Sequence, residues 1–137
     1  MHKLLMSTLA AGALLAGGGT AFAHHPFSAE YDSNRPAHVE GKVTKIAWGN
    51  PHSFLTVKGK ADNGREETFK VELGSRGALE KNGWSRRMIR TGDFVSINGW
   101  YGRRDHDRIN AQNVRINNTG HEFDAASSYS STAAAGN

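Results

Sequence analysis

Two adjacent histidines, His24 and His25, are the residues whose position most clearly suggests chemistry, because they follow a segment typical of a secretory signal. Residues 1–23 have a short basic start, a mostly apolar stretch and small residues up to Ala23, as signal peptidase requires. We therefore expect cleavage after Ala23, a periplasmic location and His24 as the first residue of the mature protein. The apolar stretch is shorter than the ~20 residues that span a bilayer, so no stable membrane insertion is expected after cleavage.

An amino-terminal histidine can chelate a metal ion through its α-amine and its own Nδ1, and a further imidazole completes a nitrogen site suited to copper. The sequence predicts such a copper site at His24, and His52 is the first candidate for the third imidazole. In the alternative interpretation the His52 ring caps the turn after the first strand or stacks on Trp48. His25 offers a second mode, through the α-amine, the deprotonated amide between residues 24 and 25, and its own ring. The alternative is that both residues form a polar start without a ligand. The remaining imidazoles are those of His38, His106 and His121.

The composition limits other kinds of chemistry. A chain of 137 residues without cysteine fits one small domain and excludes disulfides, cysteine metal sites and a thiol nucleophile. The sequence has no Gly-x-Ser-x-Gly elbow, no phosphate-binding loop and no His-Glu-x-x-His zinc motif, so we expect no enzymatic activity. The formal charge of +4 comes from basic residues interspersed with acidic ones, and export removes nucleic acid as a partner.

Alternating apolar and polar residues predict five strands, with bulges near Thr44 and Lys45 in the first strand and near Gln112 in the last. Helix-compatible residues between Ser75 and Ile89 predict two short helical turns. This order predicts the all-β class and a small five-stranded OB-like barrel with a short helical insertion between strands 3 and 4. An open five-stranded meander with a packed helix is the competing architecture. The expected strands cover residues 37–48, 52–58, 69–73, 94–97 and 109–116.

The domain limits follow from the ends of this pattern. The OB-like domain is expected over residues 24–124, with a lead-in segment anchored by Phe27 and Tyr31. Residues 125–137 are mostly Ala, Ser and Gly without an apolar pattern, and we expect a disordered tail there.

The two loops that flank the ligand-binding face of an OB-fold carry aromatic and polar residues. Aromatic faces beside arginine and asparagine donors suit a sugar, an anionic glycan or a small aromatic ligand. The alternative is that the tryptophans fill the ends of the barrel and the arginines form a solvated hairpin tip. The predicted ligand-binding residues are Trp48, Asn50, Trp100, Tyr101 and Arg103.

A third cluster follows the third strand, where Ser75 and Arg76 enter the helical insertion. Backbone N–H groups and an arginine there could hold an anion. The other interpretation, which we favour, is that Ser75 caps a helix while Leu79 and Trp84 close the bottom of the barrel.

Several short segments together resemble one family. They are His24-His25-Pro26-Phe27, Trp48-Gly49-Asn50-Pro51-His52, Gly74-Ser75-Arg76, Gly83-Trp84 and Thr91-Gly92-Asp93. Over nearly all of residues 23–116 the chain resembles the DUF6152-type family of small exported bacterial proteins of unknown function. It departs at Pro26, where the family pattern has Ser. The resemblance implies a periplasmic location and a compact β-rich fold, and it implies no activity.

These observations lead us to expect an exported, non-enzymatic binding protein that binds copper through its mature amino-terminal histidine. The alternatives are an OB-like module for a small polar or glycan ligand, and a purely structural or protein-interaction domain. The sequence leads to no prediction of the oligomeric state.

Overall fold

A computed structural model describes residues 26–129, which form one six-stranded sheet with two short helices. The predicted all-β class is confirmed. The predicted signal over 1–23, His24, His25 and residues 130–137 lie outside the described residues. In chain order the elements are α1 (Phe27–Glu30), β1 (Tyr31–Ala47), β2 (Phe54–Ala61), β3 (Glu66–Glu72), α2 (Arg76–Lys81), β4 (Phe94–Gly102), β5 (Arg108–Ile116) and β6 (Glu122–Asp124).

The strands lie in the order β3-β2-β1-β4-β5-β6, and neighbours in this order are antiparallel. β3 also pairs with β5 in parallel, through the last residues of β3. The pairings therefore lead from β1 through β2, β3, β5 and β4 back to β1. The enclosed apolar core is built from one face of each strand and includes Val39, Val57, Phe69, Ile97 and Ile109, each fully buried.

Two bulges interrupt the pairing where the sequence predicted them. In β1 the register with β2 shifts between Val43 and Lys45. In β5 the pairing with β4 passes from Asn113 to Ala111 and leaves out Gln112. A bulge bends and twists the strand that carries it, so these two positions bend β1 and β5.

β1 and β2 approach closely where two glycines face each other. Gly41 and Gly59 are direct partners across the strands, and a Cβ added to Gly59 would lie 2.1 Å from the Glu40 carbonyl oxygen. Only glycine fits at this crossing, because any larger side chain would meet backbone atoms that cannot move aside.

The structure extends beyond the predicted strands at both ends of the chain. Pro26 precedes the single turn of α1, and β1 begins at Tyr31 rather than at residue 37. Phe27 and Tyr31 are buried, as expected of anchors. A sixth strand, β6, which the sequence analysis missed, pairs with β5.

The segment after β6 is packed against the domain, contrary to the expected disorder of residues 125–129. Ala125 and Ser127 are fully buried. The Gly74 amide donates to the Ala125 carbonyl, and the Ala125 amide donates to the Gln112 carbonyl. Small residues are needed here because the backbones of Gly74 and Ala126 lie in contact.

The helical connection between β3 and β4 agrees with the favoured interpretation, in which Ser75 caps a helix. The Ser75 side chain accepts a hydrogen bond from the Ala78 amide, so Ser75 caps α2. Leu79 and Trp84 are buried against the core, while Arg76 pairs with Glu80 at 2.8 Å. Within residues 26–129, neither helix is long and apolar enough to span a bilayer.

Candidate functional site

A buried carboxylate, Glu72, lies at the centre of a polar cluster at the end of β3. Alternation along β3 places Glu72 on the outer face of the sheet, the same face as Lys70. Lys70 is exposed, whereas Glu72 is only 3% exposed. The difference arises because the chain around Tyr31 and Ser128 covers the outer face at Glu72, and a buried carboxylate needs partners to remain charged.

Three side chains donate hydrogen bonds to the Glu72 carboxylate. The Tyr31 hydroxyl donates to Oε2 at 2.6 Å, and Arg108 Nη2 donates to the same oxygen at 3.1 Å. Asn110 Nδ2 donates to Oε1 at 3.3 Å and also to the Ser128 hydroxyl at 2.9 Å. The parallel pairing of β3 with β5 produces this arrangement, because it places Asn110 directly opposite Glu72.

Arg108 links the carboxylate to the amino-terminal helix. Its Nη2 also donates to Glu30 Oε2 at 2.8 Å, and its guanidinium lies 5.3 Å from the centre of the Tyr31 ring. Burial by itself lowers the pKa of Arg108, but the neighbouring Tyr31, Glu30 and Glu72 outweigh burial and raise that pKa above its ordinary value. Arg108 therefore remains a fixed positive charge between two carboxylates.

Burial, the hydrogen bond to Glu72 and the charge of Glu72 raise the pKa of the Tyr31 phenol well above its ordinary value near 10. The phenol thus stays protonated and serves as a donor.

This raised pKa predicts a loss of stability in alkali. The stability that the protonated Tyr31 contributes is complete below pH ~10, the unfolded value, and is lost as the pH rises towards the folded value. Above pH ~10, we expect each pH unit to lower the free energy of unfolding of the wild type by about 1.4 kcal/mol more than that of Tyr31→Phe. Denaturant unfolding at a series of pH values above 9 measures the difference between the curves. Parallel curves for the two proteins would contradict the prediction.

His52, a predicted metal ligand, lies beside the same carboxylate. Its side chain is about one quarter exposed, and its Nδ1 is 3.5 Å from Glu72 Oε1. The loop that carries it contains a cis peptide bond between Asn50 and Pro51. The Ser53 amide donates to the Gly74 carbonyl, so the end of this loop is fixed next to the end of β3.

An aromatic cluster anchors the amino-terminal segment next to these polar groups. The Phe27 ring stacks on Tyr31 with ring centres 5.6 Å apart and meets the edges of Trp100 and Tyr129 at 5.7 and 4.9 Å. The amino-terminal segment is therefore fixed by aromatic packing on Tyr31. Tyr31 in turn belongs to the Glu72 cluster, which consists of Glu72 and its three donors Tyr31, Arg108 and Asn110.

The predicted ligand-binding residues divide into two groups in the structure. On the loop after β1, Asn50 is exposed and Trp48 is half-buried, with its ring 6.1 Å from Trp84 in an edge-on contact. Trp48 therefore packs against the helical connection between β3 and β4.

The second group lies at the end of β4 and packs against the amino-terminal segment. The Trp100 ring centre is 3.7 Å from that of Tyr129, and the Arg35 guanidinium lies 5.7 Å from the Tyr101 ring. Arg103 Nε donates to the Ser28 carbonyl at 2.7 Å. These contacts hold the terminal segments in place, as does the edge-on contact of Trp100 with Phe27.

The other described histidines lie away from Glu72. His38 Nδ1 is 2.6 Å from Asn98 Oδ1 on the outer face of β1, and His106 Nδ1 is 2.8 Å from Arg35 Nη2. The His121 ring meets the edge of Phe123. Among residues 26–129, no three His, Asp or Glu side chains are grouped so that they alone could hold a metal ion.

Sequence reasoning identified His52 and missed its surroundings. The sequence predicts Tyr31 only as an anchor, Glu72 on the polar side of the third strand, and Arg108 in the loop between the fourth and fifth strands, where it is grouped with the candidate ligand-binding residues. No local pattern distinguishes them, because Glu72 is buried by chain segments from both ends of the sequence.

Comparison with known proteins places the chain in a family. No curated protein and no solved structure matches it. A family model described as a family of unknown function, DUF6152, matches residues 12–111. The chain therefore belongs to the DUF6152 family.

Proposed function

We propose that the protein is exported to the periplasm, has no enzymatic activity and binds copper through the mature amino-terminal His24 together with His52. The observation that carries this proposal is the position of His52, which lies next to the point where the amino-terminal segment enters the domain.

A short series of contacts connects His52 to that segment. His52 Nδ1 is 3.5 Å from Glu72, Glu72 accepts a 2.6 Å hydrogen bond from Tyr31, and the Tyr31 ring stacks on Phe27. His24 precedes Phe27 by three positions, and three extended residues span at most ~11 Å. The proposal requires that these three residues carry the α-amine and ring of His24 past Tyr31 and Glu72 to His52.

The environment of His52 suits a metal ligand. Imidazole ligands usually direct the second ring nitrogen at a carboxylate, which fixes the tautomer and the ring orientation. Glu72 Oε1 lies 3.5 Å from Nδ1 of His52, where a carboxylate would orient the ring in this way. Because the described residues hold no complete ligand group of their own, the proposal requires the α-amine and imidazole of His24. Binding through His25 and the amide between residues 24 and 25 is the alternative mode.

We propose an OB-like barrel as the scaffold. The parallel pairing of β3 with β5 supports it, since this pairing leads the sheet from β1 through β2, β3, β5 and β4 back to β1. The capping position of Leu79 and Trp84 below the core gives further support.

A second candidate function is binding of a small polar or glycan ligand at the loop after β1. It is favoured by the exposed Asn50 beside the half-buried Trp48 and His52 on one loop. Trp100 and Arg103 fit this role less well, because both are engaged by the terminal segments.

A copper titration against a calibrated chelator tests the main proposal. We expect the processed protein, which begins at His24, to bind one copper ion. We expect acetylation of the amino terminus of the processed protein to weaken binding by at least about tenfold, because it removes the α-amine as a ligand without adding a residue. His52→Ala should weaken binding as well, whereas His38→Ala, a half-buried histidine on another face, should not.

Thermal unfolding without copper shows whether each variant is folded. Equal binding by the processed and acetylated proteins would overturn the proposal and direct attention to the loop after β1. Loss of binding in the acetylated protein but not in His52→Ala would instead support the mode that uses His25.

A further inference from the structure

Of the described residues, Met88 and Phe94 are the two large apolar side chains that are exposed, at 39% and 47%. Both lie among basic side chains, on a part of the molecule separate from the Glu72 cluster. An exposed apolar side chain surrounded by charges of one sign indicates a contact surface more specifically than either feature alone.

Phe94 begins β4 and shares the outer face of the sheet with two lysines. Phe94 pairs directly with Lys42 on β1, and Lys42 pairs directly with Lys58 on β2. Cross-strand partners project on the same face, so the three side chains form a row without an acidic residue. In the next row of that face, Glu40 lies between Lys60 and Ser96, so the charges are mixed.

The segment that leads into Phe94 carries three arginines. Arg86, Arg87 and Arg90 are exposed, while Ile89 between them is buried and holds the segment on the core.

Backbone hydrogen bonds place this segment beside β1. The Gly92 amide donates to the Val43 carbonyl, and the Val43 amide donates to the Asp93 carbonyl. The acidic Asp93 accepts a hydrogen bond from the Arg90 amide through its side chain. Gly92 and Asp93 therefore lie beside Val43, which follows Lys42, and Arg90 lies two positions before Gly92.

We propose that this surface docks the protein on an anionic lipid bilayer. Each lysine or arginine near such a surface contributes about 1 kcal/mol of attraction. Met and Phe side chains lower their free energy by burying apolar surface in the headgroup region of a bilayer. A water-soluble polyanion has no such apolar environment. We call this surface the basic–apolar patch: Lys42, Arg86, Arg87, Met88, Arg90 and Phe94.

Docking through the patch fixes the orientation of the protein. β4 runs from Phe94 in the patch to Trp100 beside Phe27. Six residues of strand span ~20 Å, so the amino-terminal segment faces away from the bilayer. This inference is independent of copper binding, since the patch contains neither His24 nor His52.

Vesicle sedimentation of the processed protein tests the proposal. Vesicles of equal parts phosphatidylglycerol and phosphatidylcholine are compared with pure phosphatidylcholine, at low and high salt. We expect binding to the anionic vesicles that falls with salt. Arg87→Glu should weaken it at least about fivefold, and Phe94→Ser should weaken it comparably. Arg104→Glu, the same charge change at an exposed position on the opposite hairpin, is the matched control.

Dextran sulfate serves as a soluble polyanion in a parallel titration. Phe94→Ser should bind it as tightly as the wild type, because no apolar insertion is involved. The proposal is overturned by any of three results: equal binding to both kinds of vesicle, equal weakening by Arg87→Glu and Arg104→Glu, or vesicle binding that is unchanged in Phe94→Ser.

Discussion

Trp84→Ala is expected to lower the free energy of unfolding by about 3 to 5 kcal/mol. The Trp84 ring is 3% exposed and lies 4.9 Å from the Phe123 ring, and its Nε1 donates to the Asp124 carbonyl at 2.8 Å. Alanine would leave a cavity between the helical connection and β6, and it would leave that carbonyl without its donor. Urea unfolding followed by circular dichroism measures the change.

Two further variants separate the contributions of Trp84. Trp84→Phe keeps most of the apolar contact and loses the hydrogen bond, so a cost of about 1 to 2 kcal/mol is expected. Met88→Ala, an exposed position in the same connection, should change stability by less than about 0.5 kcal/mol. If Trp84→Ala cost no more than Met88→Ala, the packing of this connection against β6 would be refuted.

Glu72→Gln is the second variant with a large expected effect, a loss of about 2 to 4 kcal/mol in the free energy of unfolding. The substitution keeps the shape of the side chain but removes the negative charge that faces Arg108 and accepts from Tyr31. Arg108 keeps Glu30 as a partner, and its guanidinium is about one third exposed, so the loss stays below that of a fully buried ion pair.

Glu67→Gln is the matched control on the same strand. Glu67 pairs with Arg65, and both side chains are about one third exposed. Exposed pairs contribute little because water and ions screen them, so a change below about 1 kcal/mol is expected. Equal losses from Glu67→Gln and Glu72→Gln would show that burial of the Glu72 cluster does not strengthen its interactions.

Local sequence patterns were sufficient for most of the sheet. Alternation identified five of the strands, and the bulges near Lys45 and Gln112 were expected because the apolar pattern slips there. The Ser75 cap also follows from local chemistry, since its side chain satisfies an amide three residues away. These features depend on neighbours in the sequence, and for that reason the sequence alone predicts them.

The Glu72 cluster could not be predicted in this way. Alternation assigns Glu72 to the outer face correctly, but its burial depends on which distant segments cover that face. Tyr31 comes from 41 positions before it and Arg108 from 36 positions after it. The same reasoning explains the missed β6 and the packed residues 125–129, whose composition alone favours disorder.

For the proposed copper site, sequence and structure contribute different parts. The sequence predicts His24 as a chelating terminus. The structure shows which residues surround His52. The spacing of 28 positions between His24 and His52 does not determine these surroundings.

The joining of both chain ends at one site has a consequence for the order of folding. Arg108 and Glu30 are 78 positions apart, and the Phe27 ring packs on that of Tyr129. Contacts between distant residues form slowly, because the chain must lose entropy in closing a long loop before they stabilise it. The Glu72 cluster therefore completes only after the carboxyl-terminal segment has been synthesised, so a nascent chain that stops at β4 holds Tyr31 without Arg108 or Ser128. Assembly of this cluster therefore requires that Tyr31, Arg108 and Ser128 have all been synthesised.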